Sequence, residues 1–75
     1  MSALQPVPVE SLVRVFERDG FIYDRQEGEH RIYVKAGLNC PLVIPVYRAV
    51  PVFVIRNLLR ASGMSRDRYF ELLTS

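Results

Sequence analysis

His30 is the only histidine in this 75-residue chain. Histidine changes charge close to physiological pH, which suits it to move a proton as a general acid or base. His30 follows the polar, glycine-containing run Gln26-Glu27-Gly28-Glu29 and heads an alternating segment. That position predicts an exposed side chain, and spacing alone reads it as a surface histidine. Other catalytic patterns are missing. The four glycines are scattered, so no glycine-rich phosphate loop exists. No Ser-His-Asp set has plausible support, and the acidic residues form no paired cluster of the kind a two-metal site needs. Cys40, the one cysteine, reads better as a buried, inert thiol than as a nucleophile. One cysteine and one histidine fall short of a structural zinc site, and a lone cysteine forms no internal disulfide. No metal or cofactor is expected.

Composition narrows the class further. At 8.7 kDa the chain holds one core, and a domain this small is marginally stable without tight packing or a partner. Its 49% hydrophobic content is too high for a disordered chain. Ten basic against eight acidic residues leave a net charge of +2. Nine of the ten are arginine, the side chain suited to bidentate grips on carboxylate or phosphate, and Lys35 is the only lysine. An acidic partner is allowed but not demanded. The longest apolar stretches, Pro41 to Tyr47 and Ala49 to Ile55, fall well short of a membrane span. With an unpaired cysteine, they predict a soluble, cytoplasmic protein with no membrane contact.

The elements that must position His30 follow from periodicity. Residues 1–8 carry two prolines and no repeat, and read as a tail ahead of one domain over 9–75. Val9, Leu12, Val13 and Phe16 form one stripe of an amphipathic helix that stops at Asp19-Gly20. Phe21 to Arg25 is aromatic and β-branched and predicts a strand. His30 to Lys35 predicts a second, with Ile32 and Val34 on one face and Arg31, Tyr33 and Lys35 on the other. Pro41 to Tyr47 predicts a third, held by Pro45 to an edge or a strand end. Pro51 to Ala61 predicts a second helix closed by Gly63. Ser65 is placed to cap a short last helix through Tyr69, Phe70, Leu72 and Leu73. The order is α-β-β-β-α with a terminal helical turn.

Three runs together carry a family resemblance. They are Asp19-Gly20-Phe21, then Arg25 to Tyr33 with Gly28 and His30 inside it, then Val43-Ile44-Pro45-Val46. A fourth follows in Leu58-Leu59-Arg60-Ala61-Ser62-Gly63-Met64-Ser65 and Phe70. In order and spacing they resemble the HicA, or YcfA-like, family of toxin messenger-RNA endoribonucleases over about residues 9 to 73. The resemblance implies an α+β fold like the double-stranded-RNA-binding domain, with a three-stranded antiparallel sheet packed on two helices. It implies a metal-independent ribonuclease whose essential histidine aligns with His30. It also implies a HicB-like antitoxin that covers the site, in a hetero-oligomer or beside a homodimer.

The chemistry of such a site suits RNA, whose 2′-OH attacks its own phosphodiester once a base removes the proton and cations steady the phosphorane. His30 is the candidate base. Arg25, Arg31 and Lys35 are candidate cations, with Lys35 taken as nearest by alternation. Gly28 is read as allowing positive φ or close approach of RNA, and Tyr33 as a ring for base stacking. Three positions depart from the family pattern. Glu29 replaces a small residue, Tyr47 stands where many members carry a second histidine, and residues 49–54 are apolar where members are lysine-rich. An exposed apolar flank there would favour a protein partner. A non-catalytic RNA- or protein-binding module of the same fold, and a purely oligomerising domain, therefore stay open as alternatives.

Overall fold

A computed structural model describes residues 3–75. The chain folds as α1 (Val9–Arg18), β1 (Ile22–Glu27), β2 (His30–Val34), β3 (Leu42–Pro45), α2 (Val52–Ser62) and α3 (Arg66–Thr74). The strands form one antiparallel sheet in the order β1-β2-β3, so His30 sits on the central strand. This is the expected α+β arrangement, similar to the double-stranded-RNA-binding domain. Pro45 ends β3 on a sheet edge, where its missing N–H breaks no interior ladder.

The predicted stripe of α1 buries Val9, Leu12, Val13 and Phe16, together with Val15. It stops where Gly20 takes φ 102° just past Asp19, a conformation that only glycine adopts cheaply. α2 presents Ile55, Leu58 and Leu59 to the core and closes on Gly63 in the left-handed region. Ser65 caps α3, its hydroxyl accepting from the Arg68 amide at 3.1 Å. The helices share one side of the sheet, and between the layers lie Leu12, Val15, Phe16, Leu42, Ile44, Val50, Ile55 and Tyr69. The other sheet side stays open, with Ile22, Val34 and Val43 exposed on it.

Two sequence expectations need correction. The segment read as a tail joins the fold: Leu4 is buried, and Val7 exchanges both backbone hydrogen bonds with Val50. This pins the entry to α1 against the entry to α2. Met1 and Ser2 of that segment lie outside the described residues. Cys40 is exposed rather than buried, because it falls in the connection between β2 and β3 and not within the third strand. The apolar run 49–54 is also mostly absorbed by the core. Val50 is fully buried and Val52 and Val54 pack against the core, leaving Phe53 as its large exposed side chain.

Candidate functional site

His30 is the first residue of β2 and pairs with Glu27 across the β1–β2 hairpin. Between them lies a two-residue loop, Gly28-Glu29. Gly28 has φ 60°, and Glu29 keeps a negative φ. Positive φ at the first loop position alone is the pattern of a type II′ turn, whose twist matches antiparallel strands. Nothing lies within 4 Å of where a Gly28 Cβ would stand, so the backbone is open to solvent here. On its other side His30 pairs with Pro45, and just beyond, the Val46 amide donates to the Glu29 carbonyl at 2.8 Å. His30 is thus held from both neighbouring strands while its side chain is exposed and makes no side-chain hydrogen bond among the described residues.

Register decides which candidates share its face. Along β2, residues 30, 32 and 34 point to the open side, and Arg31 and Tyr33 point toward the helices. An uninterrupted β1 would place Arg25 opposite Arg31, on the helix side. Instead a bulge between Tyr23 and Arg25 leaves Asp24 unpaired and sets Arg25 opposite Ile32, on the His30 side. Arg25 is not a free cation, however. Its guanidinium is held by Asp24 and by Glu27, the residue facing His30.

The other sequence candidates lie elsewhere, for physical reasons. Lys35 shares the opposite face and is five residues from His30, about 16 Å along the strand direction. Its Nζ donates to Asp19 at 3.1 Å and sits 5.4 Å from the centre of the Phe21 ring. It therefore joins the end of α1 to the sheet and does not reach the histidine, correcting its assignment as the nearest cation. Arg31 turns toward α1 and pairs with Glu10 at 3.2 Å. Tyr33 is only 2% exposed and meets Tyr23 edge-to-face with ring centroids 5.7 Å apart. Burial pushes its hydroxyl above the usual tyrosine range. Its ring has no free face for a base, so the stacking role is corrected as well.

Sequence reasoning passed over Arg48. It is exposed, has no carboxylate within ion-pairing distance among the described residues, and lies three residues beyond Pro45, the partner of His30. The available signal was its position shortly past the Val43-Ile44-Pro45 run, with Val46 and Tyr47 between. Tyr47, exposed at 45%, precedes it. No three His, Cys, Asp or Glu side chains cluster among the described residues in a way that could hold a metal ion. No helix among them is long and apolar enough to cross a membrane.

The arrangement is an exposed imidazole on an open sheet, fixed by a tight hairpin, with a carboxylate opposite and, among the described residues, an unpaired arginine three residues past its β3 partner. Comparison with individual curated proteins returned no match. The family model described as HicA toxin of bacterial toxin-antitoxin matches residues 9–64, three quarters of the chain, from the start of α1 to just past α2. Helix α3 lies beyond the matched region. With His30, its hairpin and β3 all inside the match, the chain belongs to the HicA family of toxins from bacterial toxin–antitoxin pairs.

Proposed function

We propose that this toxin is an endoribonuclease that cleaves messenger RNA and is neutralised by a HicB-type antitoxin covering His30. The observation that carries the reading is the state of His30. It is the only histidine, exposed, free of side-chain hydrogen bonds among the described residues and locked at its backbone from both sides. A neutral imidazole so placed accepts the proton of a ribose 2′-OH. The 2′-oxygen then forms its bond to phosphorus, and the 5′-oxygen leaves, taking a proton from the imidazolium or from water. The products are a 2′,3′-cyclic phosphate and a 5′-hydroxyl. RNA supplies its own nucleophile, so the protein needs only a proton acceptor and positive charge. Arg48, which has no carboxylate within ion-pairing distance among the described residues, is the cation we assign to supply that charge, and the open backbone at Gly28 leaves room for the strand.

The test is His30→Ala. It should lower cleavage of single-stranded RNA by about 10²–10⁴-fold and remove growth arrest while the circular-dichroism melt is retained. Products should end in a cyclic phosphate, and a 2′-deoxy substitution at the cleaved position should block the cut. Equal cleavage by wild type and the alanine variant would sink the proposal. A second reading, RNA or protein binding without cleavage, is favoured by the carboxylates around His30. Glu27 faces it and Glu29 precedes it, and both repel phosphate. Salt-dependent RNA binding by the wild type with no cleavage products would support that reading instead.

A further inference from the structure

All eight acidic residues fall in two blocks, 10–29 and 67–71. Residues 30–66 contain none, yet they hold six of the ten basic residues: Arg31, Lys35, Arg48, Arg56, Arg60 and Arg66. Folding neutralises two of these, Arg31 by Glu10 and Lys35 by Asp19. Among the described residues the other four have no carboxylate within ion-pairing distance. Arg56 and Arg60 stand at i, i+4 on α2 and share its exposed face with Phe53 and Asn57, while Ile55, Leu58 and Leu59 hold the other face to the core. Two like charges at this spacing weaken an isolated helix, and α2 has no acidic residue to relieve them. No carboxylate among the described residues pairs with either of them.

These arginines lie on the helix side of the sheet, opposite the face His30 takes, and the chain connects the two around the end of β3. Pro45 pairs with His30, the chain then passes Arg48, and α2 begins at Val52. Arg56 and Arg60 lie about 6 and 12 Å further along the helix. We propose that the exposed face of α2, from Phe53 through Arg56 to Arg60, is a track for the backbone of single-stranded RNA, holding the substrate to one side of the bond presented to His30. This rests on the ribonuclease reading and names where the rest of that substrate lies. Guanidinium groups grip phosphate oxygens in pairs, and the Phe53 ring, 64% exposed, offers a stacking face where the helix starts. An acidic protein surface would match the same charge. Protein interfaces also take arginine and aromatic side chains, but a linear row of unpaired cations starting at an exposed aromatic is what strand tracking uses.

The experiment measures binding of a labelled, mixed-sequence single-stranded RNA of roughly 20 nucleotides to full-length His30→Ala protein between about 50 and 200 mM KCl. Adding Arg56→Ala with Arg60→Ala should make the slope of log affinity against log salt shallower by about 1.4, which is two phosphates at about 0.7 each. The fourfold rise in salt would then weaken binding by about sevenfold less than in the parent. Alanine is the strongest helix former, so α2 should persist, as a circular-dichroism melt would check. Lysine at both positions should restore the slope. An unchanged slope in the double-alanine variant overturns the track, and continued cleavage by wild type then leaves the ribonuclease reading standing. A shallower slope with no cleavage by wild type supports the track and rejects the nuclease. Absence of RNA binding by the parent overturns both. Unaltered RNA binding with lost antitoxin binding assigns the face to the antitoxin and also overturns the track.

Discussion

Lys35 offers a sharp separation of structure from function, because the sequence places it beside the chemistry and the fold places it away from it. The perturbation is Lys35→Met, which keeps most of the side-chain stem and removes the charge. The structure sets the expected cost. One half-exposed ion pair to Asp19 contributes about 0.2–1 kcal/mol. The ammonium over the Phe21 ring contributes about 0.5–1 kcal/mol. Together they amount to about 1–1.5 kcal/mol, because Asp19 keeps Arg68 as a second partner at 3.5 Å. For a domain of this size that lowers Tm by about 5–10 °C. The assay is a thermal melt by circular dichroism, paired with the RNA salt titration. The melting difference should narrow toward 1 M salt, where the Debye length falls to about 3 Å. RNA affinity and its salt slope should stay at wild-type values. A variant that melts like wild type but loses about 0.7 from the slope would refute the placement of Lys35 and return it to the RNA.

Other expected outcomes test the core and the hairpin. The Tyr69 hydroxyl is buried without a hydrogen-bond partner among the described residues, so Tyr69→Phe should raise stability by about 1 kcal/mol in a urea titration; a loss would place a bound water there. Burial raises the hydroxyl pKa of both Tyr33 and Tyr69, so each prefers its neutral form when folded. The unfolded chain therefore ionises first. The stability from these two groups is complete below about pH 10 and is lost as pH climbs from there through the folded values. Tyr69→Phe should flatten this alkaline limb, and a limb unchanged by the substitution would reject the assignment. Gly28→Ala forces a side chain onto φ 60° in open space, so it should cost about 1–2 kcal/mol from backbone strain alone, with Gly28→Asn costing less. Urea midpoints of the two variants check this, and equal midpoints would show that the turn has changed type.

Local chemistry was legible in the sequence wherever one residue type has one use. The stripe of α1, glycine closing α2, serine capping α3 and proline ending an edge strand all follow from periodicity and backbone preference, and they appear as expected. His30 was legible too, because it is unique and stands after a glycine turn. What neighbours it was decided only in three dimensions. A strand flips every side chain when its register moves by one, and no feature of the local sequence announces the extra residue at Asp24 that turns Arg25 to the histidine side. Partner choice is equally non-local. Lys35 finds Asp19 and Arg31 finds Glu10 because α1 lies against the sheet, and Tyr33 is buried because helices cover that side. The sequence by itself therefore determined the elements and singled out the one histidine, since these depend on neighbours along the chain. The tertiary structure decided which cations remain free for an anionic partner, since that depends on where each carboxylate comes to rest.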